Sequence, residues 1–378
     1  MSDLQAAEAR LIISASEVDA NLYYATKFLA PDPFIFIETE AEKLLLVSDL
    51  ELDRARAVAR VDRVLSLTRY LDRARPSESA EPTPFTALDA LLQELHVRSL
   101  LVPRTFSIEA TDYLRNAEYD VRFTPGPFFP ERECKTTEEI QHIRQVQQHT
   151  EAAMEVAIAA IEEADVRDSI LYRNGALLTS EEIKRLIALT LLERECTARY
   201  TIVACGDQAC DPHNQGSGPL QAGLPIIIDI FPRSDHTGYF GDLTRTVGKG
   251  PIQEDAKTLY NVVLEGQNLA LDSICAGVNG REIHRAVMDL FKDRGFRTGE
   301  LEGRMQGFFH GTGHGVGLEI HEPPRISKSD TELQSGHVVT VEPGLYYISR
   351  GAVRIEDLVV VTDSGCENLT TYPKQLEV

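Results

Sequence analysis

The chain has 378 residues, 43% of them apolar and 26% charged, with a net charge of −21. That length exceeds what one hydrophobic core usually serves, so two domains are expected, and the composition is that of an ordinary globular protein. The acid excess argues against nucleic acid or an anionic membrane surface as partner, since either calls for clustered Lys and Arg. No apolar run is long enough to span a bilayer. The opening Met1-Ser2-Asp3-Leu4-Gln5 lacks the basic and apolar regions of a signal peptide, so a cytoplasmic location is expected. Cys134, Cys196, Cys205, Cys210, Cys275 and Cys366 are scattered, fit no common zinc ribbon and are expected to be reduced.

Residues 1–130 alternate short apolar runs with helical patterns. Phe34-Ile35-Phe36-Ile37 and Lys43-Leu44-Leu45-Leu46-Val47 predict a strand pair. A helix over 51–60, a strand over 63–67, a helix over 87–95 and a strand over 99–102 follow, with a Pro/Ser/Glu-rich loop over 76–84. Such alternation predicts an α/β domain. The proline cluster Pro125-Gly126-Pro127-Phe128-Phe129-Pro130 breaks the pattern and marks the boundary with a second domain, 131–378.

There, Thr136 or Thr137 can cap a helix running to about residue 164, with acids in its first turn. Further helices are predicted over 180–196, 253–276 and 280–294, with Gly277 and Gly295 as C-terminal caps. Strand-like runs lie at 199–204, 225–231, 337–342 and 358–361.

The chemistry concentrates around these strands. Asp229 ends a near-continuous apolar strand, Asp242 begins another, and a hairpin would bring the two together. Glu342 also ends an apolar strand, and Glu356 lies in Val353-Arg354-Ile355-Glu356-Asp357. Taken singly, each acid fits a salt bridge or strand-end cap. Ionised carboxylates are costly to bury without a positive partner, so four in apolar strands ask for a common cation. Phe308-Phe309-His310-Gly311-Thr312-Gly313-His314-Gly315-Val316-Gly317-Leu318-Glu319-Ile320-His321 adds three histidines, His314 among them a candidate ligand. Four carboxylates and an imidazole are too many for one tetrahedral zinc. They suit two divalent ions, Mn²⁺ foremost, with Co²⁺ or Zn²⁺ as alternatives. The glycines of the window fit neither a G-x-G-x-x-G nor a G-K-[ST] phosphate loop. They are expected to serve close backbone approach to the metal centre.

In this order and with their flanking motifs, these residues resemble the pita-bread metallopeptidases, which include methionine aminopeptidase, aminopeptidase P and prolidase. The match also takes in Ile202-Val203-Ala204-Cys205-Gly206 through His213 and Gly241-Asp242-Leu243-Thr244-Arg245-Thr246. The resemblance implies an N-terminal creatinase-like α/β domain followed by a pita-bread catalytic domain, an α/β (α+β) protein overall. It implies Asp229, Asp242, His314, Glu342 and Glu356 as ligands to two metal ions, with Asp242 and Glu356 bridging. Glu342 would also act as general base, and His310 and His321 would be catalytic histidines that support the ligands or contact substrate, His321 steadying the oxyanion. His213 and Arg354 would contact substrate, or Arg354 would orient a ligand carboxylate, since alternation puts it on the same face as Glu356. The turn between Asp229 and Asp242 is longer than is usual in the family, an excess the hairpin tip can absorb.

Asn21-Leu22-Tyr23-Tyr24-Ala25-Thr26-Lys27-Phe28 and Arg132-Glu133-Cys134-Lys135-Thr136-Thr137-Glu138-Glu139-Ile140 resemble the N-terminal domain and domain junction of prolidase, aminopeptidase P and creatinase. That implies cleavage of Xaa-Pro bonds. Creatinase lacks metals, so the complete ligand set argues against it. Arg325 resembles the prolidase arginine that pairs the carboxylate of a dipeptide, a geometry arginine suits. The expectation is an Xaa-Pro dipeptidase, with aminopeptidase P acting on longer peptides as the alternative and an inactive binding scaffold as a remote one. Relatives are often homodimers, which the resemblance extends to this chain.

Overall fold

The computed structural model describes residues 7–74, 83–348 and 350–378. The chain divides into two compact units after Pro130. The opening segment Met1–Gln5 and most of the proline-rich stretch over 76–84 lie outside the described residues.

In the first unit, a six-stranded sheet runs, among the described residues, in the order Arg63–Ser66, Lys43–Val47, Phe34–Glu38, Ala7–Ser14, Val97–Val102, Asp120–Phe123. Strand alternation sends Ile35, Ile37, Leu44 and Leu46 to one face, where they meet Leu88 and Leu91 of α4 (Pro84–Glu94). It sends Phe34, Phe36, Leu45 and Val47 to the other, against Leu22 of α1 (Ala20–Thr26) and Ala55 of α2 (Leu52–Val58). Both faces are covered, which is why these strands read as unbroken apolar runs. The predicted strand pair is antiparallel, Ile35 opposite Leu46. Pro84 opens α4 instead of closing a loop, because Thr83 and Thr86 form a capping box there. The strand Ala7–Ser14, α3 (Leu67–Arg73) and α5 (Ile108–Asn116) escaped the sequence reading. The two helices are short, at 7 and 9 residues.

The second unit has two halves. In one, α6 (Thr137–Glu162) and α7 (Ser180–Leu192) pack on a sheet of Ile202–Cys205, Ile226–Ile230 and Leu243–Val247. Val146, Met154, Ile158, Ile183, Ile187 and Leu191 fill its core with Ile226, Ile228, Ile230, Leu243 and Val247. In the other, α8 (Glu254–Ser273) and α9 (Gly280–Asp293) pack on Glu322–Ile326, Gly313–Gly315, Val338–Val341, Asp357–Thr362 and Gly365–Asn368. There Leu259, Val263, Ile283, Val287 and Phe291 meet Val339, Val341, Ile355, Val359 and Val361. Thr136 caps α6, its hydroxyl accepting from the Glu139 N–H while the Glu139 carboxylate accepts from the Thr136 N–H.

Three boundaries differ from expectation. Helix α7 stops at Leu192, and Cys196-Thr197 instead pairs with Arg233-Ser234. That small ladder takes its second strand from within the Asp229–Asp242 turn. Gly295 follows α9 with φ +89°, as a C-terminal cap should, but Gly277 (φ +86°) lies beyond an extended Ile274 and donates to the Leu333 carbonyl. The run over 199–204 is strand only from Ile202, because Tyr200 takes a left-handed conformation at φ +63°.

Candidate active site

The same alternation that builds the two cores builds the site. Ile228 and Ile230 face α6 and α7, so Asp229 between them faces the opposite way. Val341 and Ile355 face α8, so Glu342 and Glu356 point away from that helix. Each buried Ile or Val contributes about 1.5–3 kcal/mol of driving force, enough to orient the acid beside it. Asp229 sits opposite Thr244 in the hairpin register, and Asp242 follows on the same face. The halves are joined at this seam. The Thr244 hydroxyl donates to Glu356 Oε2 at 2.7 Å, the Glu356 N–H donates to the Thr244 carbonyl, and Thr246 bonds both the N–H and the carbonyl of Arg354. Beneath them Arg245, 1% exposed, donates to Asp357 and to the carbonyl of Glu356.

All five expected donors, with His213, His310, His321, Arg325 and Arg354, line one cavity of about 960 Å³. The ligating atoms of Asp242, His314 and Glu356 lie within 4.8 Å of one another. His314 Nε2 is 3.3 Å from Glu342 Oε1 and 3.7 Å from Asp242 Oδ2, while its Nδ1 donates to the Gly315 carbonyl at 3.2 Å. That bond fixes the tautomer with a free lone pair on Nε2, the arrangement a metal-binding imidazole needs. Asp229 Oδ2 accepts from Arg354 at 2.7 Å, while its buried Oδ1 has no hydrogen-bond partner among the described residues.

The electrostatics are those of a cation site. Burial, reinforced by neighbouring carboxylates, holds the Asp242 and Glu356 carboxyls well above their usual range. Burial pushes Glu342 up to about 7 against the opposing pull of Arg354. Burial also lowers His314 to about 3, so its imidazole is neutral. An orphaned carboxylate oxygen, clustered acids and a neutral imidazole fit divalent metal ions, which would satisfy all of them at once.

The remaining residues divide by what they touch. His310 donates from Nδ1 to the Gly311 carbonyl, and its Nε2 accepts from the Tyr346 hydroxyl at 2.9 Å. Arg354 in turn donates to Tyr346 at 3.0 Å and to Thr244. His310, Tyr346, Arg354 and Asp229 thus form one chain, with His310 lowered to about 3 by burial and by Arg354. His321 stands edge-on to His314, ring centres 4.4 Å apart, and Arg325 is exposed at the cavity wall. Neither side chain has a hydrogen bond or ion pair within the described residues. His213 is exposed on its loop.

Sequence reasoning missed Tyr346. Its signal is Gly344, where a Cβ would lie 2.5 Å from the Tyr346 hydroxyl. Two glycines of the histidine window also have a purpose beyond the one expected. A Cβ on Gly313 would lie 1.9 Å from the Thr340 carbonyl oxygen, and one on Gly315 2.3 Å from that of Pro323. They let neighbouring strands close on His314. Also unforeseen is the anchor beside His321, where Glu322, 4% exposed, accepts from Lys135 at 2.6 Å and Arg132 at 2.8 Å.

Comparison with known proteins follows the same lines. Over 247 residues the chain is 35% identical to an Xaa-Pro dipeptidase of Pyrococcus furiosus, a match covering 65% of each chain. The matched region thus spans just under two thirds of that relative's length. Among solved structures, an X-Pro aminopeptidase of Thermotoga maritima superposes with a TM-score of 0.81 at 26% identity, covering 98% of both chains. The prolidase of Pyrococcus furiosus superposes at 0.77 and 25%, covering 97% of both. The shared architecture is the expected one, a creatinase-like α/β domain followed by a pita-bread domain. Residues 141–363 match the family described as Metallopeptidase family M24, and the chain belongs to that family.

Proposed function

We propose that the protein is a dinuclear-metal Xaa-Pro dipeptidase, with Asp229, Asp242, His314, Glu342 and Glu356 holding two divalent ions. The observation that carries the reading is the cluster of ligand atoms from Asp242, His314 and Glu356, with the unpaired Oδ1 of Asp229, which lines the same cavity. A set rich in carboxylates favours Mn²⁺ over softer ions, with Co²⁺ or Zn²⁺ able to replace it. When bound, such ions supply Lewis acidity and acidify water towards neutral pH.

The protein residues do the rest. Glu342, whose carboxylate lies beside His314 in the cavity, serves as general base. His321 is neutral, its pKa lowered by burial and by Arg325, so it can donate an N–H to a developing oxyanion. Arg354 keeps Asp229 oriented, and the Tyr346–His310 pair braces Arg354 from behind. Arg325 and His213 receive the far end of the substrate, Arg325 pairing the proline carboxylate.

The Pyrococcus furiosus relatives, named as Xaa-Pro dipeptidase and prolidase, support this reading. A second reading, release of the first residue from longer Xaa-Pro peptides, is favoured by the exposure of Arg325 and by the likeness to the Thermotoga maritima X-Pro aminopeptidase. The test compares Xaa-Pro dipeptides with Xaa-Pro-Xaa tripeptides in Mn²⁺, for the native protein and for Arg325→Ala. Dipeptide preference, lost in the variant, is expected. Equal losses on both substrates refute the dipeptidase assignment, and no hydrolysis of either refutes the enzyme. The proposal extends to a cytoplasmic homodimer, which cell fractionation and sedimentation of the purified chain check.

A further inference from the structure

Two glutamines hold the backbone of the metal centre without touching its ligand atoms. Gln147 on α6 is 0% exposed. Its Oε1 accepts from the Asp242 N–H at 2.8 Å, and its Nε2 donates to the Asp242 carbonyl at 2.8 Å and to Thr370 Oγ1 at 2.9 Å. One side chain thus grips both polar groups of the Asp242 main chain. Gly241 is required beside it, because a Cβ there would lie 2.6 Å from Thr150 Oγ1 and 3.0 Å from Gln147 Oε1.

Gln267 on α8 is also 0% exposed, and its Nε2 donates to the carbonyls of Val341 at 3.0 Å and Ile355 at 3.1 Å. These carbonyls belong to the peptide units that lead into Glu342 and Glu356. The opposite ends of the same units are held as well, since the Glu342 N–H donates to the Thr312 carbonyl and the Glu356 N–H to that of Thr244. The two acceptors fix which end of the amide is nitrogen. That leaves Gln267 Oε1 buried with no partner among the described residues. An unpaired buried acceptor is destabilising, a cost Gln267 bears while its Nε2 satisfies two buried carbonyls.

We infer that Gln147 and Gln267 are positioning residues for the metal centre, one from each half of the second unit, setting the main-chain origin of Asp242, Glu342 and Glu356. The inference rests on the ligand set of the proposed function. Groups that orient metal ligands typically change metal affinity by about 10–100-fold when removed.

The experiment titrates the native protein, Gln147→Glu, Gln147→Met and Gln267→Met with Mn²⁺ by calorimetry. The same proteins are titrated with Co²⁺ by visible absorption, which reads coordination geometry, and are melted in EDTA. Gln147→Glu keeps the acceptor for the Asp242 N–H and loses the donor, so it stays informative if Gln147→Met does not fold. At least about tenfold weaker Mn²⁺ binding and altered Co²⁺ bands are expected. Gln267→Met strands the Val341 and Ile355 carbonyls and should melt lower in EDTA, but its loss of Mn²⁺ affinity should exceed what that destabilisation accounts for. Folded variants with native affinity and spectrum overturn the inference. So does a loss of affinity matched by an equal loss of stability in EDTA. A native protein that binds no divalent ion overturns the metal reading itself, a different result from variants that bind as the native does.

Discussion

Arg354→Met removes the buried cation that pairs Asp229. Arg354 is 4% exposed and holds Asp229 Oδ2 at 2.7 Å, Tyr346 at 3.0 Å and Thr244 at 3.3 Å. Removing it leaves Asp229, already unpaired at Oδ1, as a buried charge with no counterion. Breaking a buried pair from one side costs about 3–5 kcal/mol. At roughly 2–4 °C per kcal/mol for a unit of this size, the metal-free protein should melt about 6–20 °C lower. The assay is thermal unfolding in EDTA, followed by circular dichroism. Arg354→Lys should fall between the two, since it keeps the charge but not the planar fork. Adding Asp229→Asn to Arg354→Met should recover part of the loss, because the stranded charge is gone. A metal-free Arg354→Met protein melting within about 2 °C of the native one, or a double variant no better than the single, would refute the reasoning.

Two more outcomes follow from the site. Metal must displace protons from Glu342, pushed up to about 7, and from Asp242 and Glu356, also raised. Raised carboxyls hold protons below their pKa, so apparent Mn²⁺ affinity should climb with pH. Calorimetry in buffers of different ionisation enthalpy should register proton release, and affinity that stays flat between about pH 6 and 8 contradicts this. Gly313→Ala places a Cβ 1.9 Å from the Thr340 carbonyl and must push away the strand that carries His314. Both the melting temperature and Mn²⁺ affinity should drop, and an unchanged metal titration would show that His314 does not depend on that strand contact.

Much of this was legible in the chain, for a physical reason. Asp229, Glu342 and Glu356 each stand next to strongly apolar strand residues, and a charged residue in such a setting advertises a buried partner. The capping box at Thr136 and the apolar period of α6 are likewise local signals. What escaped depends on contacts distant in sequence. Gln147 meets Asp242 and Gln267 meets Val341 and Ile355 only after helices dock on sheets, and nothing near either glutamine announces its partner. Tyr346 looks like one more strand aromatic until Arg354 and His310 close on its hydroxyl. The strand-packing duty of Gly313 and Gly315 escaped because a crowded strand and a crowded metal demand the same missing side chain.

The division of donors between the two halves has a consequence for biogenesis. Asp229 and Asp242 come from the sheet under α6 and α7, while His314, Glu342 and Glu356 come from the sheet under α8 and α9. With the proposed ligation, neither half alone presents a full coordination sphere. Metal capture then certifies completed folding: a nascent or half-unfolded chain offers only scattered carboxylates, and hydrolytic power is withheld until both halves have docked. Once captured, ions at concentrations far above their Kd clasp the seam by mass action, adding about 2.7 kcal/mol at a hundredfold excess.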